Sequence, residues 1–371
     1  MAVTVRANAQ IVGAEPPFMA TVEGYANVTG AASATAHGPR AKYPLNARAD
    51  LGLRVFARYE SEDGFAFGPR VVVQSLGQEP PALGDRTIVL STPDWGRLEF
   101  GYRQGLPDTL TGYAPNSYTF TGVEFGPPTG LNLFPHGGLQ TSFLAPAQRA
   151  AIGSLSYLGI ATAFAGDASL KALYTSPRFL GFQLGLSASP NADPTPSGAD
   201  YKQSGQAGIA YEYHFGDNQT LRSGGSYGLG YRRSGIEQAS AARTLHSGNV
   251  GIALGLEETW FIGLSGSYEY AARSVSSDDP TPRTGFGGTA SLNYESGPWA
   301  FGGFAQAARA REGALSQSRL LALEIGGAFR LDVHVKFYSS IYGYDYRNDG
   351  AAAPLPTGRG AVFLGGARVQ L

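Results

Sequence analysis

Arginine side chains recur on one face of the segment 47–60, ARADLGLRVFARYE. Because a β-strand directs alternate side chains to opposite faces, Arg48, Arg54 and Arg58 share one face. The other face carries Ala47, Ala49, Leu51, Leu53, Val55, Ala57 and Tyr59. A guanidinium is always charged and offers a planar fork of donors that binds carboxylate and phosphate oxygens. The segment therefore predicts a ribbon with one face suited to anions and one apolar face.

Arginine also dominates the positive charge of the whole chain. Only four of its 28 basic residues are lysines: Lys42, Lys171, Lys202 and Lys336. Fixed, partly enclosed positions favour arginine, although a GC-rich genome would produce the same bias. The formal net charge of −1 creates no overall field toward nucleic acid, so we expect no nucleic-acid partner. The absence of cysteine excludes disulfides and thiolate metal sites.

Residue patterns typical of enzymes are missing from the sequence. The histidines are far apart and form no ligand-spaced pair: His37, His136, His214, His246 and His334. The chain has no G-x-S-x-G nucleophile elbow and no glycine-rich phosphate loop. His214 keeps a hydrolase open as an alternative, but an isolated histidine is more often a solvated side chain than a catalyst. We predict that the protein is not an enzyme.

Alternating segments of about ten residues recur to the C-terminus without a break in composition. No run of about 18 apolar residues offers a transmembrane helix. The connectors alternate between short ones, such as GDNQ and ESGP, and long ones rich in Pro, Ser and Asp, such as RSVSSDDPTPRTG. Short turns at one rim and long loops at the other are typical of an outer-membrane β-barrel. A soluble sandwich does not predict this alternation.

The strand count defines the predicted fold class, an all-β, 16-stranded antiparallel transmembrane β-barrel. We expect residues 1–371 to form a single barrel domain, with residues 1–17 as an N-terminal extension. The alternative is that the alternating stretch VTVRANAQIV (3–12) supplies an extra strand or a better first strand. The sixteen predicted strands are 18–29, 47–60, 65–74, 85–92, 97–103, 168–175, 180–189, 205–215, 220–233, 248–257, 259–273, 284–295, 299–311, 319–331, 333–347 and 360–371.

A barrel explains the two faces of each strand, because the apolar face contacts lipid and the arginine face lines water. Five aromatic residues near strand ends are expected at the bilayer interfaces: Tyr59, Trp95, Tyr102, Trp260 and Trp299. Near the C-terminus, period-two alternation places four tyrosines on one face of a strand: Tyr338, Tyr342, Tyr344 and Tyr346. If they faced the lumen they would suit a sugar channel, but we favour the lipid-facing interpretation.

One long segment, residues 104–167, lacks the alternation. A stretch of this length inside a compact chain is usually functional. Its only acidic residues before Asp167 are Asp108 and Glu124, and its only basic residue is Arg149. If the segment folds into the barrel, it narrows the lumen and sets acids opposite the arginine wall. The alternative is an external loop that packs against a trimer interface or forms a surface lid.

Two motifs flank this segment. STPDWGRLEFGYRQ (91–104) and SLKALYTSPRFLGFQLGLS (169–187) resemble the strand–turn–strand units on either side of the inward-folded third loop of general diffusion porins. The resemblance is to the α-proteobacterial form of this Gram-negative family. It implies a trimeric barrel with a transverse field between loop acids and wall arginines. The implied constriction residues are Arg54, Arg58, Arg70, Arg103, Lys171, Asp108 and Glu124.

The resemblance also implies location and partners. It implies an outer-membrane homotrimer whose signal peptide has been removed, in contact with lipid and lipopolysaccharide, that passes small polar solutes by diffusion. The chain departs from the family by ending in Leu371 rather than Phe, and by a loop poor in acids. We expect no cofactor, with a calcium ion at the constriction loop as the one exception found in some relatives.

Selectivity follows from the expected charge balance. Because Arg54, Arg58, Arg70 and Arg103 outnumber the two loop acids, we expect a weak preference for anions. The alternatives are a channel selective for a sugar, carboxylate or phosphate, a plugged structural barrel, and the hydrolase described above.

Overall fold

The structure is a computed structural model. It describes residues 9–10, 17–38, 45–76, 82–103, 105, 152, 155, 158, 164, 169–192, 201–216, 218–231, 244–257, 259–272, 283–312, 316–349 and 357–370. No helix among these residues is long and apolar enough to cross a membrane.

Seventeen strands account for most of the described residues. They are β1 (Ala9–Gln10), β2 (Phe18–His37), β3 (Leu45–Glu60), β4 (Ala66–Leu76), β5 (Ala82–Thr92), β6 (Gly96–Tyr102), β7 (Leu170–Thr175), β8 (Phe182–Ala192), β9 (Tyr201–Phe215), β10 (Gln219–Tyr231), β11 (Thr244–Leu256), β12 (Trp260–Ala272), β13 (Arg283–Ser296), β14 (Trp299–Glu312), β15 (Ser316–Arg330), β16 (Val335–Asn348) and β17 (Gly358–Gln370).

Strands β2 to β17 form a closed antiparallel barrel of sixteen strands, which confirms the predicted fold class. Each strand pairs with the next one along the chain, and β17 pairs with β2 to close the sheet. Closure satisfies the backbone groups that an open edge would leave unpaired in lipid. The two-residue strand β1 pairs with Thr21 and Val22 of β2, beyond the point where β17 ends opposite Tyr25.

The connections give the barrel two different rims. Turns of two to six residues follow every odd-numbered strand from β3 to β15. They join β3–β4, β5–β6, β7–β8, β9–β10, β11–β12, β13–β14 and β15–β16. We call their end the short-turn rim, and the opposite end the long-loop rim. In outer-membrane barrels the short turns are periplasmic and the long loops extracellular.

Alternate side chains along the strands separate an apolar outside from a polar inside. Outward residues such as Val250, Ile325 and Phe363 expose about half of their surface or more. Inward residues such as Asn249, Gln306 and Glu324 are buried. Of the five predicted belt residues, Trp95, Tyr102, Trp260 and Trp299 are exposed near strand ends. The sheet therefore has the apolar outer band that lipid requires.

Candidate pore constriction

The inner wall between β4 and β7 gathers charged residues from strands that are distant in sequence. Pairing aligns Phe56, Arg70, Thr87, Gly101 and Lys171 in one row across β3 to β7. The row places two of the predicted constriction residues, Arg70 and Lys171, on the inner face of the same stretch of wall. Lys171 is almost completely buried on this inner face.

Glu99 of β6 organises three arginines on this wall. Its Oε1 lies 2.7 Å from Nε of Arg97, and its Oε2 lies 4.0 Å from Nη1 of Arg70. Arg103 forms a direct ion pair with the same carboxylate, and Arg70 forms another with Asp85. We call these residues, Arg70, Asp85, Arg97, Glu99 and Arg103, the Glu99 cluster.

Burial makes the Glu99 cluster a fixed structure. The side chain of Glu99 is only 2% exposed, and that of Arg103 only 6%. A carboxylate taken out of water needs charged partners and hydrogen bonds to compensate for lost hydration. Arg97 is 39% exposed, so it is the member of the cluster that presents most of its charge to water. The positive charges of the predicted residues Arg70 and Arg103 are therefore partly neutralised by acidic side chains of the wall.

Arg54 and Arg58 form a second group, on β3 near the short-turn rim. Nη1 of Arg54 lies 2.9 Å from Oε2 of Glu23, its direct cross-strand partner on β2. Nη2 of Arg58 lies 2.9 Å from Oε2 of Glu60, and both side chains are 38% exposed. The predicted arginines thus divide into two ion-paired groups instead of one uninterrupted positive wall.

The wall keeps an excess of positive charge after these pairs are counted. Among the described side chains on the inner face of β2 to β7 there are seven bases and four acids, an excess of three positive charges. The bases are Arg48, Arg54, Arg58, Arg70, Arg97, Arg103 and Lys171, and the acids are Glu23, Glu60, Asp85 and Glu99. The described side chains of this wall therefore carry more basic than acidic groups.

The segment after β6 enters the barrel and packs against the opposite wall. Ile152, Leu155 and Leu158 are completely or almost completely buried, and Ile152 and Leu155 are helical. A spacing of three places them on one face of a helical turn. They join one apolar cluster with inward residues of β2 and β14 to β17, which include Phe304, Leu320, Tyr342 and Val362. We call this cluster the loop seat.

Polar and close backbone contacts fix the same segment. Nε2 of Gln306 on β14 donates a hydrogen bond to the carbonyl oxygen of Leu158, 2.7 Å away. Phe164 lies against Gly228 of β10, where a Cβ atom would overlap its ring. Glycine at this position therefore allows the close approach of the loop to the wall. The described residues Ile152, Leu155, Leu158 and Phe164 of this segment therefore contact the inner faces of β10 and of β14 to β17.

The tyrosines of β16 face the lumen, so the lipid-facing interpretation was wrong. Tyr342 and Tyr346 are almost fully buried in the loop seat, while Ile341 of the opposite parity is 49% exposed. Tyr338 donates a hydrogen bond to Oδ1 of Asn27, 2.8 Å away on the inner face. The apolar residues of the loop supply a buried environment inside the barrel, which the periodicity of β16 alone does not reveal.

Several predicted features lie outside the described residues. These are the loop acids Asp108 and Glu124, and with them the calcium site. The described part of the chain contains no group of three or more His, Asp or Glu residues that could hold a metal ion. His214 lies exposed at the short-turn rim, with Nε2 3.3 Å from Oε1 of Glu212 and Nδ1 3.2 Å from Oγ1 of Thr220.

The wall acids were missed by reasoning from the sequence. Glu99 follows Arg97 by two residues, so period-two alternation already places both on one face. Glu23 alternates with the buried residues Tyr25 and Asn27 in the same way. Alternation alone therefore places both acids on the arginine face, outside the long loop. Only the pairing register shows which arginine each acid meets.

Comparisons with known proteins agree with this architecture. A family model described as Gram-negative porin matches residues 2–351. No curated protein sequence matches the chain. The barrel is similar to Salmonella typhi OmpF in complex with daunomycin, at 11% identity and a TM-score of 0.62, over 96% of this chain and 98% of that one.

Two further solved structures are similar over almost their whole length. One is the anion-selective porin from Comamonas acidovorans, at 13% identity and a TM-score of 0.59, over 95% of this chain and 100% of that one. The other is the trimer form of in-vitro folded OmpT, an outer membrane protein of Vibrio cholerae. It has 13% identity and a TM-score of 0.59, over 95% of this chain and 99% of that one.

Proposed function

This chain belongs to the Gram-negative porin family and is a channel of the bacterial outer membrane, and from this premise we propose passive diffusion of small hydrophilic solutes with a weak preference for anions. The pore needs no cofactor and catalyses no reaction in this proposal. A water-filled barrel lets polar solutes pass, and its diameter and lining charges decide which of them pass.

The observation that supports the proposal best is the loop seat facing a charged wall. Ile152, Leu155 and Leu158 of the long segment pack on one side of the lumen, beside β14 to β17. The wall from β2 to β7 carries the ion-paired arginines, of which Arg58 and Arg97 are the most exposed. Solutes therefore pass along a wall whose accessible charge is positive. Because each arginine has a nearby carboxylate, we expect the anion preference to be weak.

The experiment is a reversal-potential measurement in a planar lipid bilayer under a KCl gradient. We expect the native protein to select chloride weakly. The variant Arg58→Gln, Arg97→Gln removes the two most exposed charges of the wall and should move the reversal potential toward potassium. Arg86→Gln is the matched control, because Arg86 lies on the outer face, stacked over Tyr102. An unchanged potential in the double variant would contradict the assignment of these residues to the solute path.

We also propose that the protein is a homotrimer that contacts outer-membrane lipid and lipopolysaccharide. The trimer form of the Vibrio cholerae OmpT structure supports this state by similarity of fold. The outward residues of β17 and β2, such as Ala26, Gly30 and Gly365, are small and would allow barrels to pack closely. Conductance steps that occur in groups of three, together with the mass in detergent, would test the trimer.

A further inference from the structure

Arginines line the outer face of the barrel at the long-loop rim of β14 to β17. Arg309 of β14 pairs directly across the sheet with Arg319 of β15, and Arg319 pairs with Arg347 of β16. All three are exposed. They lie on the outward face because their strand neighbours Ala308, Leu320 and Tyr346 belong to the loop seat inside. We call Arg309, Arg319 and Arg347 the outer arginine row.

A gain in the stability of the folded barrel does not explain this row of arginines. Like charges directly opposite each other in a sheet are destabilising, and here two such pairs follow one another. Arg311 and Arg359, also exposed on the outer face, extend the positive surface on either side. Among the described side chains, the acids of this surface are Asp345 and Asp349. Asp345 lies 3.1 Å from Arg347 and 3.8 Å from Arg359, and Asp349 lies near Arg347. Five arginines against two acids leave an excess of three positive charges.

The height of the row on the barrel identifies what it meets. Directly below Arg319 along the outer face of β15 come Leu321, Leu323 and Ile325, each more than half exposed. On β17, Arg359 is followed on the same face by Ala361 and Phe363. The arginines therefore mark the upper edge of the apolar band, on the side of the long loops. In an outer membrane this edge lies at the headgroups of the outer leaflet.

We propose that the outer arginine row binds the phosphate groups of lipopolysaccharide in the outer leaflet. This inference rests on the placement of the channel in the outer membrane and specifies a site for one of its proposed partners. Arginine forks bind phosphate oxygens in a bidentate manner, and a phosphate placed between two opposed arginines relieves their repulsion. The apolar residues below the row contact the acyl chains of the same lipid.

The test measures binding of fluorescent lipopolysaccharide to the purified protein in a neutral detergent. The variant Arg309→Gln, Arg319→Gln, Arg347→Gln should bind about 100-fold more weakly than the native protein, from the typical contribution of a basic residue at a charged membrane surface. The single variant Arg319→Gln should lose about fivefold by the same reasoning. Native binding should weaken as salt is added. Lipopolysaccharide stripped of its phosphates should bind both proteins equally weakly.

The control removes the same number of basic charges from the neighbouring strands β15, β16 and β17. Arg330, Lys336 and Arg368 form a second cross-strand row at the short-turn rim. By alternation this row lies on the inner face, away from lipid, with Arg368 over the ring of Tyr25. Arg330→Gln, Lys336→Gln, Arg368→Gln should leave lipopolysaccharide binding unchanged. Equal loss in the control and the row variant, or equal binding by the native protein and the row variant, would overturn the proposal. Equally tight binding of phosphatidylglycerol would overturn the assignment to lipopolysaccharide.

Channel conductance separates this proposal from the proposed function. The row variant should keep the native conductance and reversal potential, because the row lies outside the lumen. The single variant Arg319→Gln provides the same test if the triple variant does not fold. Loss of lipopolysaccharide binding with normal conductance supports the site, whereas a failure of the diffusion proposal would appear as silent native channels.

Discussion

The loop seat can be opened by removing two leucine side chains. Leu155 and Leu158 are each 1% exposed and pack against the inner wall of β14 to β17. Replacing one fully buried leucine by alanine costs about 2–5 kcal/mol. The two side chains share one cluster, so their costs do not add fully, and we expect about 5 kcal/mol for Leu155→Ala, Leu158→Ala. The ratio of docked to undocked loop should then fall by a factor of roughly 10³ to 10⁴.

Two assays report the position of the loop. Single-channel recording should show larger and noisier steps in the double variant, because the loop no longer fills one side of the lumen. Limited trypsin digestion reports the same change, since Arg149 is the only basic residue between Arg103 and Lys171. Cleavage at Arg149 should accelerate with the population of undocked loop.

Controls assign the effect to the loop seat. Leu323→Ala makes the same chemical change on the outer face of β15, where the side chain is 51% exposed, and should alter neither assay. Adding Arg149→Gln to the double variant should abolish the new cleavage. Native-like conductance together with a native cleavage rate in the double variant would refute the reasoning that these leucines hold the loop against the wall.

Two further predictions concern charged groups. Glu99→Gln leaves three arginines with a neutral partner, so we expect a stronger anion preference and a loss of about 3–5 kcal/mol in stability to urea, as for a broken buried ion pair; native stability would contradict the role of Glu99. Asp332 lies in the turn 331–334, where its Oδ1 accepts hydrogen bonds from the backbone N–H of His334 and Val335, both at 2.7 Å, and these bonds lower the pKa of its carboxyl. This contribution to stability is present above the ordinary carboxyl pKa and is lost as the pH falls through the lowered pKa. Unfolding in urea at pH values from 6 to about 2 should therefore show a pH dependence that decreases in Asp332→Asn; an equal pH dependence in both proteins would exclude a role for this carboxylate.

The alternation of side chains determined the fold from the sequence alone. Period two in segments such as 47–60 and 205–215 fixes which side chains share a face, because the backbone of a strand leaves no other choice. The change from short to long connectors fixes the two rims. All sixteen predicted strands overlap strands of the barrel, and the outward positions of Leu51, Leu53 and Phe363 follow from the same rule.

Only the tertiary structure decided which charges and apolar residues meet. Glu99 contacts Arg70 from a different strand, and Arg309, Arg319 and Arg347 align only through the register of three strands. Tyr342 is buried because a loop nearly two hundred residues earlier in the chain packs on it. Alternation is a local property of the backbone, whereas register and loop packing depend on closing the sheet. For that reason the sequence by itself determines which side chains face lipid and which face the lumen. Closure of the barrel determines which of the lumen-facing residues come into contact.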